Sequence, residues 1–305
     1  MKVISLIASS TEIVCALGFE SHLVGRSHEC DYPESVSKLP ICTEPKFQLD
    51  GTSYQIDERV KAILQEGLSV YRVDAGKLQE LKPDIIITQA HCDVCAVSLA
   101  DVEAAVSQIV GTFPKVVSLE PNSLEDIFAD IRKVALALDC KTTGEMLVGG
   151  MEGKMKNISV KTQSITRRPA VACIEWIEPL MAAGNWMPTL VEMAGGENLF
   201  GEAGKHSPVM TWEQLYQRNP EILFISPCGF DIARTLQEMP KMTSLMGWSD
   251  VNAVKNGRVY IGDGNQYFNR PGPRVAESLE ILAECFFPDG FYFGFEGKGW
   301  IKFTG

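Results

Sequence analysis

The chain has 305 residues, of which 45% are hydrophobic and 22% are charged. This composition leaves room for two domain-sized cores and excludes collagen-like, disordered and disulfide-scaffold proteins. The net charge is −11, from 28 basic and 39 acidic side chains, which argues against nucleic acid as a partner because phosphate binding requires clustered positive charge.

The first predicted elements alternate between strands and helices. "KVISLIA" predicts a strand, and Ser9 to Glu12 have the spacing of a capping box for a short helix that ends at Gly18. Further strands are predicted for "HLVGRS", "SVYRVD", "DIIITQ" and "KVVSLE", with helices at "DERVKAILQEG", "AGKLQELK" and "SLADVEAAVSQIV". Such alternation predicts a parallel sheet that is covered on both faces.

The strand signal stops at residue 122, and residues 122–165 carry apolar side chains at helical spacing. Beyond them, the strands "AVACIEWI", "EILFISP" and "GRVYIGDG" alternate with the helices "MPTLVEMAGG", "TWEQLYQR" and "RVAESLEILAECFF". We therefore predict an α/β fold of two Rossmann-like lobes, residues 1–121 and 166–288, each with a central parallel sheet. A long helix joins the lobes, and a tail follows at 289–305.

The sequence also bears on the cellular location. No apolar run approaches the ~20 residues that cross a bilayer, so the chain is not expected to span a membrane. "MKVISLIASSTE" lacks the apolar core and cleavage site of a signal peptide. The nine cysteines are an odd number without framework spacing, which favours reduced thiols. We expect a cytoplasmic protein, or a periplasmic or lipid-anchored one if a leader has been removed.

Unusual residues follow five of the predicted strands, in the segments "RSHECDYP", "AHCDVCAV", "EWIEP", "PCGF" and "GNQYFNRPGPR". Because ligands of open parallel sheets bind outside the carboxyl ends of the strands, we expect these segments to line one ligand cleft between the lobes. The candidate ligand-binding residues are His28, Glu29, Cys30, Asp31, Tyr32, Cys92, Cys95, Glu175, Trp176, Trp186, Cys228, Tyr267, Phe268 and Arg270.

Four of these residues are also candidate metal ligands. Cys92 and Cys95 form a C-x-x-C motif, which can be a redox dithiol or half of a zinc site. Zinc would need further ligands, such as His28 or Cys30, and the alternative is that the thiols pack as small apolar groups. Two readings of the first segment stay open, a thiol–imidazole pair or a turn capped by Asp31 with His28 bonded to backbone.

The candidate ligand-binding segments are rich in large planar side chains, namely Tyr32, Trp176, Trp186, Tyr267 and Phe268. Arg270 and Arg274 could meet carboxylates or pack on rings. This mixture suits a large, partly flat ligand with acid or amide groups, and the alternative is that the aromatic residues fill the core. Neither a G-x-G-x-x-G motif after a strand nor a P-loop motif supports dinucleotide binding or phosphate transfer.

The ordered motifs "VISLIASSTEIVCALG", "VGRSHECDYP", "LKPDIIIT", "VEMAGGENLFG", "NPEILFISP" and "QYFNRPGPR" resemble those of the helix-linked (class III) substrate-binding proteins of ABC importers. The vitamin B12-binding branch is the most similar. The resemblance implies two lobes, a rigid helix between them, and a corrinoid, haem or iron chelate held unchanged in the cleft. The ligand contacts that it implies are Tyr32, Trp176, Phe268 and Arg270.

The resemblance also implies an ABC permease as a partner, engaged by an acidic residue on each lobe. Glu192 matches the second-lobe position, whereas Gly76 stands where the first-lobe acid is expected. Because imidazole and thiolate are ordinary axial donors to cobalt and iron, His28 or a cysteine could coordinate the metal of the ligand.

These observations predict a non-catalytic binding protein with no intrinsic cofactor. Its ligand is expected to be a corrinoid, such as cobalamin or cobinamide, or a similar metal–tetrapyrrole. The alternative is a cytoplasmic enzyme that uses the cleft with a Cys/His thiol or a zinc site.

Overall fold

The computed structural model describes residues 1–65, 70–89, 99–107 and 113–305. The chain divides into two compact units. Unit 1 comprises Met1–Gly51, Gln55–Pro121 and Glu125–Gly150, and unit 2 comprises Thr52–Tyr54, Asn122–Leu124 and Met151–Gly305.

The first part of the chain supplies six strands within the described residues: β1 (Val3–Ser5), β2 (Leu23–Arg26), β3 (Thr43–Pro45), β4 (Tyr71–Val73), β5 (Ile85–Gln89) and β6 (Lys115–Leu119). The helices of the same part are α1 (Ala8–Ala16), α2 (Ser53–Gln65), α3 (Ala75–Leu81), α4 (Leu99–Val106) and α5 (Leu124–Ala137). The next helix, α6 (Lys141–Gln163), contains the point where the chain passes from unit 1 to unit 2.

The main sheet of unit 1 has the strand order β2-β1-β5-β6, and all of its strand pairs are parallel. Every residue of β1 and β5 is buried, as expected for central strands that helices cover on both faces. Ile4, Leu78 and Ile86 belong to one core cluster that joins β1 and β5 to α3. Burial of each such side chain stabilises the fold by about 2 kcal/mol. The packed core thereby holds the carboxyl ends of the strands at one edge of the sheet.

Two elements of unit 1 differ from the sequence predictions. "SVYRVD" forms β4, which pairs antiparallel with β3 in a separate ribbon instead of entering the parallel sheet. The helix predicted to start after a capping box begins earlier, at Ala8, so that Ser9 and Glu12 lie inside it. The capping-box prediction is therefore wrong, because the N-cap position falls on Ile7, whose apolar side chain cannot accept a capping hydrogen bond. Gly18 follows the helix at φ 84°, as a carboxyl-terminal cap requires.

The second part of the chain supplies the strands β7 (Ala170–Trp176), β8 (Met181–Ala182), β9 (Glu197–Asn198), β10 (Ile222–Ile225), β11 (Val259–Gly262) and β12 (Trp300–Lys302). Its helices are α7 (Met187–Met193), α8 (Trp212–Arg218), α9 (Ile232–Thr243), α10 (Asn252–Lys255) and α11 (Val275–Phe286).

The sheet of unit 2 has the order β12-β11-β10-β7-β8, with β9 also paired to β7. The contacts of β7, β10 and β11 are parallel, whereas β8 and β12 run antiparallel to their neighbours. Leu223, Ile225 and Ile261 form the buried core with Met239 and Met242 of α9. The tail after residue 288 thus ends as an edge strand of this sheet.

These two units confirm the predicted α/β class with two lobes built on parallel sheets. The predicted lobe boundaries and the shared ligand cleft stay predictions. Among the described residues, none of the helices has the length and apolarity needed to cross a membrane.

The junction between α5 and α6 contains a left-handed residue, Asp139, with φ 57°. The N–H of Cys140 donates to the carbonyl of Ala135, which is a common way to end a helix.

A buried carboxyl group in unit 1 leads to a pH-dependent prediction. Asp130 of α5 is 6% exposed, and its Oδ2 accepts a hydrogen bond from the N–H of Glu120 at 2.9 Å. Burial raises the pKa of this carboxyl from 3.8 to about 6. Because the native state holds the proton more tightly than the unfolded chain, the contribution of Asp130 to stability falls as the pH rises through this interval.

We therefore expect Asp130→Asn to become more stable, relative to the parent protein, as the pH rises from about 4 to about 6. The change in the difference between their free energies of unfolding should total roughly 2 kcal/mol. Urea denaturation across this pH range measures it, with Glu125→Gln, an exposed carboxyl of the same helix, as the control for the loss of one charge. A difference that stays constant with pH would contradict the prediction.

Candidate functional site

The segment after β2 is held against β3 by a small hydrogen-bond network. Thr43 Oγ1 lies 3.0 Å from Ser27 Oγ, to which it donates. The same oxygen lies 3.1 Å from the backbone nitrogen of His28 and 2.8 Å from its ring Nδ1. Because a hydroxyl has one proton, Thr43 accepts both hydrogen bonds from His28.

This network determines the tautomer of His28. The proton lies on Nδ1, which donates to Thr43, so Nε2 carries a lone pair. Burial, helped by the positive charge of Arg26, lowers the pKa of His28 to about 4, and the ring is neutral near pH 7. Nε2 is shielded from solvent and has no hydrogen-bond partner among the residues that the structure describes.

The neighbours of His28 point in different directions. Cys30 is 1% exposed, and its sulfur accepts a hydrogen bond from Thr11 Oγ1 at 3.0 Å, so this thiol packs against α1. Glu29 is half-buried and accepts a hydrogen bond from the hydroxyl of Tyr71 at 3.2 Å. The ring centroids of Tyr71 and His28 are 5.2 Å apart. The structure therefore brings His28 and Glu29 together and separates them from Cys30.

The remaining unit 1 candidates have different placements. Asp31 and Tyr32 are exposed. Cys92 and Cys95 lie outside the described residues. Within residues 1–65, 70–89, 99–107 and 113–305, no group of three or more His, Cys, Asp or Glu side chains could hold a metal ion. The described part of the chain therefore gives no support to a zinc site.

In unit 2, three of the predicted segments meet at the carboxyl ends of β7, β10 and β11. The N–H of Cys228 donates to the carbonyl of Glu175 at 3.0 Å, and the N–H of Asn265 donates to the carbonyl of Phe230 at 3.0 Å. A β-carbon added to Gly264 would lie 2.0 Å from the carbonyl oxygen of Pro227. Only glycine therefore permits this approach of the two loops.

An aromatic pair lies at this edge of the sheet. The ring centroids of Trp176 and Phe230 are 5.2 Å apart with an interplanar angle of 51°. The guanidinium of Arg234 lies 4.5 Å from the centroid of Phe230, at a distance typical of a cation–π contact. Trp176 is half-buried, and its Nε1 donates to the carbonyl of Glu178 at 2.9 Å, so its ring orientation is held while part of it stays accessible.

The loop after β11 contains two buried arginines. Arg270 donates to Asn265 Oδ1 at 3.0 Å, and Arg274 donates to Gln266 Oε1 at 3.0 Å. Both side chains are at least 94% buried, and the guanidinium of Arg274 lies 5.2 Å from the ring centroid of Tyr267. The loop thus holds two positive charges at the same edge of the sheet as Trp176 and Phe230.

Other predicted residues of unit 2 occupy less accessible positions. Phe268 is 1% exposed and contacts Phe224 edge-to-face, with ring centroids 4.7 Å apart, so it fills the core. Trp186, which precedes α7, is 6% exposed, and its Nε1 has no partner within the described ranges. Glu175 accepts a hydrogen bond from Ser207 at 2.8 Å. Cys228 and Tyr267 are half-buried, and Glu192 is exposed on α7.

Sequence reasoning did not identify Thr43, Tyr71, Phe230 or Arg234 as site residues. Phe230 ends the quoted segment "PCGF", and Arg234 follows it by one helical turn, so the spacing alone could have suggested this pair. Thr43 and Tyr71 lie on the β3–β4 ribbon, and no sequence signal connects them with His28.

Comparisons with known proteins agree with this architecture. The chain is 25% identical to an uncharacterized ABC transporter substrate-binding lipoprotein of Bacillus subtilis, over 95% of this chain and 81% of that protein. It is 24% identical to a vitamin B12-binding protein of Vibrio vulnificus, over 93% and 89% of the two chains. A periplasmic haem-binding protein of Pseudomonas aeruginosa has a similar fold, with a TM-score of 0.72 at 18% identity over 100% and 98% of the chains.

These relatives show that the predicted cytoplasmic location is wrong. The matching proteins are described as lipoprotein, periplasmic and substrate-binding proteins, which places proteins of this kind outside the cytoplasm. The prediction failed because a buried cysteine can stay reduced in an oxidising compartment as well as in the cytoplasm, so its reduced state does not indicate the location. Burial raises the pKa of Cys42 to about 11 and that of Cys173 to about 12 and so suppresses the thiolate that disulfide exchange needs.

A sequence profile of the periplasmic binding protein family matches residues 3–265. This range begins with the first residue of β1 and ends in the loop after β11. It contains the parallel strands of both units together with the edge that carries Trp176 and Phe230. The chain therefore belongs to the periplasmic binding protein family.

Proposed function

We propose that this protein binds a metal–tetrapyrrole, either a corrinoid or a haem-like compound, and passes it unchanged to an ABC permease. Two findings support this ligand class: the Vibrio vulnificus relative binds vitamin B12, and the Pseudomonas aeruginosa protein of similar fold binds haem. The alternative of an enzyme with a thiol or zinc site has no support in the comparisons or in the described residues.

The observation that carries the proposal is the aromatic and cationic edge of the sheet in unit 2. The half-buried ring of Trp176, supported by the buried ring of Phe230, supplies planar apolar surface. The loop that follows β11 holds the buried charges of Arg270 and Arg274 in fixed positions. A flat macrocycle with carboxylate groups matches this edge of the sheet, because its ring can stack on Trp176 and the fixed positive charges attract carboxylates.

The partner proposal rests on α7. Glu192 is exposed on this helix, and it matches the acidic residue with which importer-bound proteins engage arginines of a permease. An exposed carboxylate can pair with a positive charge across an interface, and it does little to destabilise the free protein. We therefore propose Glu192 as a docking residue.

Haemin, cobinamide and cyanocobalamin, each mixed with the protein and followed by desalting, provide the test. We expect one of the three to be retained near a 1:1 ratio, as measured by visible absorbance. Trp176→Ala should weaken retention about tenfold, because it removes the stacking surface. Glu192→Gln should retain the ligand as the parent protein does and lower only the stimulation of the permease ATPase.

Retention of none of the three compounds would contradict the proposed function. Trp212→Phe is a matched control, because Trp212 stacks on Trp248 elsewhere in unit 2. Equal loss of ligand in Trp212→Phe and Trp176→Ala would show that the effect comes from general disturbance of unit 2. Loss of ligand in Glu192→Gln would contradict the docking role of that residue.

A further inference from the structure

We infer that Arg234 binds a carboxylate of the ligand and so determines which tetrapyrrole the protein selects. A ring with acidic side chains, such as haem, is favoured over a corrinoid whose acid groups are amides, such as cobinamide. The inference rests on the proposed function, because it requires a macrocycle that stacks on Trp176. It goes further by naming the group that distinguishes the two classes of ligand.

The first step is the accessibility of the guanidinium. Arg270 and Arg274 are 5% and 6% exposed, and each donates to a side-chain amide oxygen of its own loop. The side chain of Arg234 is 27% exposed. A buried guanidinium acts on a ligand through its electric field, whereas an accessible one can also donate hydrogen bonds directly. Arg234 is therefore the arginine of this group that can contact a carboxylate.

The second step is the orientation of an ion pair on α9. Arg234 Nη2 lies 3.0 Å from Glu238 Oε1, one helical turn later, and the carboxylate is only 3% exposed. Glu238 Oε2 accepts hydrogen bonds from the hydroxyl of Ser53 at 2.8 Å and from its backbone N–H at 3.3 Å. Ser53 belongs to unit 2, so the carboxylate is satisfied within that unit. The negative end of the pair is thus buried, and the positive end is accessible.

The third step is the position of Arg234 relative to the stacking surface. Its guanidinium lies 4.5 Å from the ring centroid of Phe230, which lies 5.2 Å from that of Trp176. Its backbone N–H donates to the exposed Asp231 at 2.7 Å, which fixes the start of α9. The guanidinium is therefore held beside the ring that supports Trp176, within reach of the peripheral groups of a macrocycle stacked there.

The fourth step is the chemistry of the two ligand classes. Haem carries two carboxylates at one edge of its ring, whereas the side chains of cobinamide end in amides. A guanidinium can form two parallel, charge-assisted hydrogen bonds with a carboxylate, and such bonds are roughly twice as strong as neutral ones. An amide offers one neutral oxygen acceptor. We therefore expect a preference for the carboxylate of about tenfold or more.

The experiment compares haemin with its dimethyl ester, which has the same ring and iron and lacks the carboxylates. Titration of the whole protein, followed by visible absorbance, should show that haemin binds about tenfold more tightly than the ester. Arg234→Gln should weaken haemin by about this factor and leave the ester unchanged. Arg234→Lys keeps the charge and loses the planar fork of donors, so its affinity for haemin should fall between those of the parent and the glutamine variant.

Arg167→Gln is the matched control, because Arg167 is an exposed arginine of unit 2 that pairs with Glu221. It should bind both compounds as the parent protein does. If Arg234→Gln weakens haemin and the ester equally, the arginine only supports Phe230, and the inference is overturned.

Two further outcomes distinguish the inference from the proposed function. If haemin and its ester bind equally to the parent protein, or if only cobinamide or cyanocobalamin binds, the selection by Arg234 is wrong while the proposed function stands. If none of haemin, cobinamide and cyanocobalamin binds, the proposed function is wrong and the inference is wrong with it.

Discussion

Replacement of Glu284 by glutamine is expected to lower the free energy of unfolding by about 3 kcal/mol. Glu284 of α11 is 3% exposed and accepts hydrogen bonds from four donors of the carboxyl-terminal tail. The donors are the backbone N–H groups of Phe293, Gly294 and Phe295 and the indole Nε1 of Trp300. Glutamine has one oxygen acceptor, so its NH₂ group would face donors that then stay unpaired.

The same substitution should loosen the tail. Trp300 begins β12, which pairs antiparallel with β11, and the carboxylate holds this strand to α11. Limited proteolysis of Glu284→Gln is expected to cleave within residues 289–305 more rapidly than in the parent protein, and chemical denaturation measures the loss of stability.

The matched control for Glu284 lies one turn earlier on α11. Burial raises the pKa of Glu280, so its charge is disfavoured in the folded state and its replacement by glutamine should cost little or increase stability. If Glu280→Gln and Glu284→Gln destabilise the protein equally, the carboxylate of Glu284 is not the specific anchor of the tail.

The second large effect is expected at Gly264. An alanine there would place its β-carbon 2.0 Å from the carbonyl oxygen of Pro227 and 2.9 Å from that of Ser226. Backbone atoms cannot yield as a flexible side chain does, so the loops after β10 and β11 must separate. We expect Gly264→Ala to lower the free energy of unfolding by about 3 kcal/mol and to weaken ligand binding, because the separation displaces Phe230 from Asn265.

Gly153→Ala is the matched control. Gly153 lies within α6, and an added β-carbon would have no atom within 4 Å. Alanine favours the helix by about 1 kcal/mol relative to glycine, so this substitution should increase stability. Chemical denaturation of both variants, with ligand titration of each, separates the steric effect from the general effect of adding a methyl group. The two substitutions are expected to change the free energy of unfolding in opposite directions. Changes in the same direction would contradict the close approach at Gly264.

Much of the fold could be predicted because its signals are local. "DIIITQ" and "KVVSLE" are runs of β-branched residues, and they form β5 and β6. The β3–β4 ribbon was not predicted as a separate pair. Its partners lie about thirty residues apart, and three-residue strands with exposed positions have no periodicity strong enough to identify their neighbours.

The candidate site was predicted as a set of segments and not as an arrangement. The rule that ligands bind at the carboxyl ends of parallel strands selected "EWIEP", "PCGF" and "GNQYFNRPGPR", and the structure brings these three together in unit 2. The rule could not predict that Phe268 lies in the core while Trp176 stays half-buried. Side-chain direction in irregular loops depends on packing with residues far away in sequence.

The sequence by itself determined the alternation of strands and helices, the α/β class with two lobes and the kinship with substrate-binding proteins, because each is written in the local order of apolar and polar residues. Only the tertiary structure decided which hydrogen bonds the side chains of the segment "RSHECDYP" form. Thr43, fifteen residues from His28, selects the ring tautomer, and Thr11, nineteen residues from Cys30, draws the thiol inward. Hydrogen bonds of this kind depend on distances in space, which chain folding sets and residue order does not display.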